Sequence, residues 1–175
     1  MTDFASWDSM LKRYVNAQGQ VDYAAWQLES EQDLKTWLES LCPTELGALK
    51  RAEAIAFLIN LYNAVTIRQV LQNYPIASIR PTFLRIPNWL AFLRFFSQKV
   101  YRLNDRSLSL NGIEHDLLRA KFQNPRIHFA LVCASVGCPL LRAEAYWPER
   151  LEEQLETDAQ RFIRNTDKVR YDATQ

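Results

Sequence analysis

One segment, residues 52–73, constrains the fold more than any other. From Ala54 to Leu61 every residue is apolar except Asn60, so a helix here would be apolar around almost its whole circumference. Such a helix must be covered on all sides by the rest of the chain. We therefore predict a central helix that ends before Pro75, because the residue preceding a proline disfavours the helical conformation.

The rest of the pattern predicts a helix-rich α+β fold with a small, mainly antiparallel sheet. Amphipathic helices are predicted at about 5–17, then before Pro43, and finally from about Pro148. Residues 99–103 and 107–110 flank Asn104-Asp105-Arg106, a pattern typical of a hairpin. The apolar run at 127–132 predicts a buried strand. Asn111 and Glu114 have the spacing of a capping box, which predicts a helix to about residue 121.

Length and composition limit the classes of protein to consider. A chain of 175 residues with 48% hydrophobic content is most simply one domain, 1–175, with a sizeable core. Its 21 Lys and Arg against 20 Asp and Glu give a net charge of +1, which predicts no attraction to nucleic acid or acidic membranes. The N-terminus lacks a basic start followed by an apolar run, and no stretch is apolar without interruption over the ~18 residues of a membrane span. We expect a cytoplasmic protein whose three cysteines are thiols.

Both histidines and two of the three cysteines fall between His115 and Cys138, and this clustering indicates a site. Cys133 is the candidate nucleophile, because it follows the predicted strand and precedes a small-residue turn at 134–137. Backbone N–H groups in such a turn could stabilise an oxyanion. Cysteine is also among the most buried residue types, so simple packing is the competing interpretation. Cys42 belongs to no cluster and is expected to pack.

Two histidines compete for the role of base. His115 would lie in the first turn of the predicted helix, where the helix dipole favours a neutral ring. Glu114 has two conflicting candidate roles, as the capping residue and as the acid that orients a histidine; adjacent helical residues point about 100° apart, so it does not easily orient His115. His128 is the rival base, although on a regular strand it and Cys133 would face opposite sides.

Three further patterns leave alternatives open. Asn60 and Asn63 lie one turn apart on the most apolar helix, where an unpartnered buried amide costs on the order of 1–3 kcal/mol, so each should have a partner. They could orient the site or fix loop backbone. Cys138 could be a resolving thiol for Cys133, or the two could bind a metal together with His115 and His128. Because the spacing of these residues is not a compact zinc signature, we predict no metal site. We also predict no other cofactor.

The chain resembles the domain-of-unknown-function family 547, found in bacteria and plants. The resemblance covers most of the chain and rests on these elements: Gly19-Gln-Val-Asp-Tyr23, Phe57-Leu-Ile-Asn-Leu-Tyr-Asn-Ala64, Ile113-Glu-His115 with Leu118-Arg119, His128-Phe-Ala-Leu-Val-Cys133 and Cys138-Pro139. It implies a Glu-His-Cys arrangement similar to that of cysteine peptidases. Carried over, this points to Glu114, His115 and Cys133, and His128 would satisfy the same order along the chain.

These observations together predict a cysteine-dependent hydrolase or acyl-transfer enzyme acting on a peptide or amide bond. Cys133, His115 and Glu114 are the catalytic candidates, and the candidates for substrate binding are Asn60, Asn63, Arg119 and His128. The alternatives are a module that holds a small thiol or peptide, such as a glutathione-like ligand, without turnover, and an interaction domain whose cysteines and histidines are core residues. We expect this chain to carry no secretory or lipoprotein leader, unlike many bacterial members, because its N-terminus lacks a basic start followed by an apolar run. It also stops at Gln175, where the family commonly continues into another strand and an aromatic-rich helix, so we expect part of that fold to be missing.

Overall fold

The protein is described here by a computed structural model that covers residues 2–75, 82–83, 86–87, 89–133 and 138–166. Its α-helices are α1 Ala5–Tyr14, α2 Tyr23–Ser40, α3 Arg51–Leu71, α4 Trp89–Ser97, α5 Ala120–Phe122 and α6 Leu151–Ile163. A π-helix at Gly112–Arg119 runs into α5, and three 3₁₀ turns lie at Leu46–Ala48, Pro125–Ala130 and Pro148–Arg150. Two antiparallel strand pairs complete it: β1 Thr82–Phe83 with β2 Ile86–Pro87, and β3 Tyr101–Leu103 with β4 Arg106–Leu108. The fold is the predicted helix-rich α+β class.

Helix α3 is the predicted central helix. Seventeen of its residues are buried, and α2, the π-helix and the turn at Pro148–Arg150 pack against it. Its first turn is fixed by Glu53, whose carboxylate accepts a hydrogen bond from the Lys50 backbone N–H at 3.0 Å. In length and hydropathy α3 would suffice to cross a membrane, but 94% of its most apolar window is buried inside the protein. The helices around it therefore provide the covering that its sequence requires.

Aromatic side chains from α1 and α2 form one side of the core. The rings of Trp7 and Trp37 stack at 5.4 Å between centroids, and those of Tyr14 and Trp26 stack at 5.0 Å. All four side chains are buried. Stacked pairs of this kind contribute roughly 0.5–1.5 kcal/mol beyond the area they bury.

Asn60 connects this aromatic cluster to the C-terminal part of the chain. Its Oδ1 accepts hydrogen bonds from Trp7 Nε1 at 3.2 Å and from the Tyr146 backbone N–H at 2.9 Å. Its Nδ2 donates to the carbonyl of Tyr146 at 2.8 Å. The side-chain amide thus pairs with both polar groups of one peptide residue, as a neighbouring strand would. Each buried asparagine of α3 was expected to have a partner, and Asn60 has three.

The residues beside Tyr146 are held in the same way by two other helices. Asp8 of α1 accepts a hydrogen bond from the Ala145 N–H at 2.9 Å, and Gln154 of α6 accepts one from the Trp147 N–H at 2.8 Å. Three consecutive backbone N–H groups therefore bond to side chains from three helices. This satisfies the backbone of a buried segment that belongs to no sheet.

The predicted hairpin is confirmed. Tyr101 pairs with Leu108, Arg102 with Ser107 and Leu103 with Arg106. Asn104 has φ +49°, in the left-handed region that asparagine tolerates well, and this allows the tight turn.

The predicted buried strand at 127–132 is wrong, because residues 125–130 form a 3₁₀ helix instead. Pro125 stands at its first position, and the Asn124 side chain accepts a hydrogen bond from the Arg126 N–H at 3.1 Å. Ile127 and Ala130 are the buried residues of this turn, and their spacing of three is the 3₁₀ repeat. A short apolar run fits either period. The alternation of a regular strand therefore does not place His128 and Cys133 on opposite sides.

The predicted capping box at Asn111 is also wrong. Asn111 is itself helical, with φ −57° and ψ −42°, and its side chain makes no capping hydrogen bond. Ser109 Oγ instead accepts from the Gly112 N–H at 3.0 Å. The helix that follows has π geometry, in which the Ala120 N–H bonds to the carbonyl of His115 five residues earlier. Glu114 is consequently free of a capping role.

Two expectations fall wholly or partly outside the described residues. The first is the segment at about 76–98, whose prolines and aromatic residues fit neither the helical nor the strand period: α4 occupies Trp89–Ser97, but 76–81, 84–85 and 88 lie outside the described residues. The small-residue turn at 134–137, where backbone N–H groups were expected to hold an oxyanion, is the other.

Replacing Asn60 by alanine would leave Trp7 Nε1 and both backbone groups of Tyr146 without their partners. Unsatisfied buried groups cost about 1–3 kcal/mol each, so we expect Asn60→Ala to lower the free energy of unfolding by about 3 kcal/mol or more in urea denaturation. Asn111→Ala is the matched control and should change stability by less than about 0.5 kcal/mol, because Asn111 is exposed and makes no capping bond. A loss at Asn60 no greater than at Asn111 would contradict this account.

Candidate functional site

Asn63 fixes the segment that leads to Cys133. Its Nδ2 donates to the carbonyl of Ala130 at 3.0 Å, and its Oδ1 accepts from the Val132 N–H at 3.0 Å. The amide thereby spans two residues of extended chain in the manner of a β-ladder partner. Asn63 is 3% exposed, so water competes little for these bonds. The backbone next to Cys133 is thus tied directly to the central helix.

Cys133 and Cys138 are joined in a disulfide, with 6.0 Å between their Cα atoms. Both residues are partly buried. The pairing agrees with the alternative in which Cys138 is the redox partner of Cys133, whereas both had first been expected to be thiols. In this state Cys133 has no thiol with which to attack a substrate.

Glu114 approaches His128 rather than His115. Its Oε1 lies 4.0 Å from His128 Nδ1, and its side chain is 17% exposed while the histidine is 68% exposed. Glu114 also acts on Tyr62 of the central helix. Burial raises the pKa of the Tyr62 hydroxyl, and the negative charge of Glu114 raises it further. The carboxylate is thus held against the core and faces a histidine that lies five residues before Cys133.

The structure leaves three of the predicted site residues on the surface: His128, described above, and two residues of the π-helix. His115 and Arg119 are both exposed, at different turns of the π-helix. Neither side chain has a hydrogen bond or an ion pair within the described residues. Asn60 and Asn63, proposed for substrate binding, have their amides engaged in the hydrogen bonds that fix Tyr146 and the segment before Cys133.

A cavity of about 730 Å³ lies beside the disulfide. Cys138, Asn63 and Val132 contribute to its wall on the disulfide side. The remaining wall is mainly apolar. It comes from α3, from the chain after Cys138, from the 17–23 segment, and from α6 and the residues just after it. These residues are Ala17, Gln18, Gly19, Gln20, Val21, Tyr23, Thr66, Ile67, Pro139, Leu140, Leu141, Arg161 and Asn165. A cavity of this size accommodates a small peptide or a similar molecule.

A tight turn brings the 17–23 segment against the chain that follows Cys138. Gly19 has φ +73°, and a Cβ at this position would stand 2.9 Å from both Leu140 Cβ and the carbonyl oxygen of Leu141. Asn16 stabilises the turn, because its Oδ1 accepts from the Gln20 N–H at 3.0 Å. Only glycine combines this conformation with so close an approach. The backbone conformation and the close approach explain why position 19 is a glycine.

Sequence reasoning missed two polar residues of the cavity wall, Tyr23 and Arg161. Tyr23 lies within the Gly19–Tyr23 element that carried the family resemblance, so a signal was present but no role was assigned. Burial raises the pKa of Tyr23 to about 12, so its hydroxyl stays protonated at neutral pH. Arg161 lies on α6, where only the apolar positions had been singled out.

Within the described ranges, no three side chains among His, Cys, Asp and Glu are grouped as metal ligands would be. Cys42 packs against the core as expected, and its Sγ donates to the carbonyl of Leu38 at 3.7 Å. It is the one cysteine outside the disulfide.

These features define a helix-rich α+β domain with a paired-cysteine site at the edge of a cavity. The sequence matches the family described as "Protein of unknown function, DUF547" over residues 46–163, and the chain belongs to that family. No curated protein matches the sequence, and no solved structure matches the fold. The family match includes Glu114, His128, Cys133 and Cys138, but it assigns them no activity.

The disulfide makes a direct prediction about thiol content. In unfolded protein prepared without reductant, an alkylating reagent should label Cys42 alone, and after reduction it should label all three cysteines. Peptide mass spectrometry of the two samples measures this. Labelling of Cys133 and Cys138 without prior reduction would show that the pair is not oxidised in the isolated protein.

Proposed function

We propose that the reduced protein is a cysteine-dependent hydrolase or acyl-transfer enzyme that acts on a peptide or amide bond. Cys133 is the nucleophile, His128 is the base and Glu114 orients the histidine. The observation that carries the proposal is the 4.0 Å approach of Glu114 Oε1 to His128 Nδ1. A carboxylate beside Nδ1 favours a proton on that nitrogen and leaves Nε2 to accept one; cysteine and serine acyl-transfer enzymes use an acid, hydrogen-bonded to the ring, for the same purpose.

The position of Cys133 next to a fixed backbone also supports the proposal. Because Asn63 anchors the residues on either side of Leu131, the sulfur extends from a chain that the core holds in place. Preorganisation of this kind contributes to catalysis, since small displacements of a reacting group are costly in rate.

The proposed reaction has two steps, acylation of Cys133 and transfer of the acyl group to water or to a second amine. The proton of the Cys133 thiol passes to the His128 imidazole, and the thiolate sulfur attacks the carbonyl carbon of the substrate. The C–N bond then breaks, the amine leaves with the proton from His128, and a thioester on Cys133 remains. Water attacks this thioester in a hydrolase, or a second amine does so in an acyl-transfer enzyme, and the thiol is regenerated.

This chemistry requires reduction of the Cys133–Cys138 disulfide. A dithiol reductant would attack one sulfur, form a mixed disulfide and then leave as its own cyclic disulfide, giving two protein thiols. Reducing systems of the cytoplasm keep thiols in this state, and we propose the cytoplasm as the location of the active form. The ligand we propose is a small peptide; the net charge of +1 supports neither nucleic acid nor a membrane as a partner.

The disulfide favours one second candidate, a module that binds a small thiol without turnover. A glutathione-like thiol that enters the cavity would exchange with the disulfide and remain as an adduct on Cys133 or Cys138. Of the two cysteines, Cys138 is the one that forms part of the cavity wall. An adduct detected by mass spectrometry after incubation with glutathione, with no cleavage of peptide libraries by the reduced protein, would favour this function over the first.

The proposal is tested by the rate at which iodoacetamide labels Cys133 in fully reduced protein between pH 6 and pH 8. A thiolate paired with an imidazolium reacts well below pH 7, so we expect labelling at pH 6 to be ~10- to 100-fold faster than for a free cysteine. His128→Ala should abolish this excess. Glu114→Gln should reduce it, because the neutral amide no longer supports the charged ring.

His115→Ala is the matched control, since His115 is exposed and has no partner within the described residues. It should label at the wild-type rate. If His115→Ala abolishes the fast reaction and His128→Ala does not, the base is His115 and the assignment of His128 is overturned. Slow labelling in all four proteins would show that Cys133 is not an activated nucleophile.

A further inference from the structure

We infer that the cavity beside Cys138 binds the carboxylate end of a short peptide or N-acyl amino acid, with the carboxylate at Arg161 and the apolar side chain against Ile67 and Leu140. The inference rests on the proposed function and names its substrate class. It is carried by the composition of the cavity wall and by the position of one cation at its edge.

Arg161 is the one charged residue among the described residues of the wall, which include no aspartate or glutamate. The guanidinium is fixed at one end, because Nη2 donates to the carbonyl of Ala17 at 2.9 Å. Within the described part of the chain it forms no ion pair with a carboxylate. By contrast, the partly buried Arg142 has its guanidinium paired with both Asp158 and Glu144. Arg161 thus has donors left for an anionic ligand.

The other walls suit the remainder of such a molecule. Val21, Ile67, Val132 and Leu140 give an apolar surface, and about 730 Å³ is ample space for one or two residues of a peptide. Tyr23 adds a hydroxyl that has no hydrogen-bond partner in the described structure. This hydroxyl is a donor at neutral pH, as in any tyrosine, and burial raises its pKa further, to about 12. A charged donor and a phenolic hydroxyl are therefore part of a wall whose described residues include no acid.

A guanidinium binds a carboxylate through charge-assisted hydrogen bonds and recognises it far better than a neutral amide. A substrate carboxylate at Arg161 would direct the rest of the peptide along the cavity towards Cys138 and its partner Cys133. The ligand class that the cavity favours is thus the free carboxyl end of a peptide rather than its amino end.

The test uses two probes of nearly the same shape that differ only in the terminal group, the carboxylate of N-acetyl-L-leucine and the neutral amide of N-acetyl-L-leucinamide. Each is titrated into the oxidised full chain, and binding is followed by amide chemical shifts in ¹H–¹⁵N spectra. We expect the acid to bind at least ~10-fold more tightly than the amide, because only the carboxylate forms a charge-assisted pair with the guanidinium. The shifted signals should include Gly19, Ile67 and Leu140.

Arg161→Gln should lower the affinity for the acid to that for the amide. Arg164→Gln is the matched control, because Arg164 is exposed at the end of the same helix and lies outside the cavity wall. Equal binding of the two probes to the wild type, no binding of either, or unchanged binding of the acid to Arg161→Gln would each overturn the inference.

The oxidised protein cannot form a thioester, so this titration does not depend on catalysis. Failure of the titration would leave the labelling result for Cys133 intact. Conversely, an unreactive Cys133 with charge-dependent binding at Arg161 would refute the proposed enzyme and keep the ligand site.

Discussion

Two buried side-chain amides on one apolar helix hold the irregular parts of this protein in place. Asn60 and Asn63 lie one turn apart on α3, and each pairs with backbone groups of a segment distant in sequence. The apolar surface of α3 attracts the other elements without direction, whereas the amides determine which residues lie where. Because a buried amide without partners is costly, the two asparagines select one arrangement of the segments around 130–132 and 146.

The site depends on the second of these amides. Asn63 contributes to the cavity wall and at the same time anchors the chain that ends in Cys133, so the central helix and the disulfide are mechanically linked. Glu114 comes to the same region from the π-helix, which packs on α3. π-Helical turns are frequent at functional sites because they re-aim side chains that a regular helix would direct elsewhere. The family's glutamate, histidine and cysteine elements are thereby attached to one helix.

The sequence predicted the parts of the fold that follow from long periodic patterns. The central helix, the amphipathic helices and the hairpin are all present, because their apolar spacing extends over many residues or includes a strong turn signal. The apolar run at 127–132 was interpreted as a strand, but a short apolar run is also compatible with a 3₁₀ turn. Ile127 and Ala130, three residues apart, are the buried residues of that turn. The pairing of Glu114 with His128 depends on how two such irregular segments pack, and no local pattern in the chain specifies it. The same is true of Arg161, which reaches the cavity through the packing of α6.

The central claim, that Asn63 fixes the backbone before Cys133, is tested most directly by hydrogen exchange at the Val132 amide. That N–H donates to a buried side chain and belongs to no helix or sheet, so its protection reports on this one bond. We expect slow exchange of this amide in the wild type. In Asn63→Ala the rate should rise close to that of unstructured peptide, while amides within α6 keep their protection. Rapid exchange of Val132 in the wild type, or unchanged protection in Asn63→Ala, would contradict this claim.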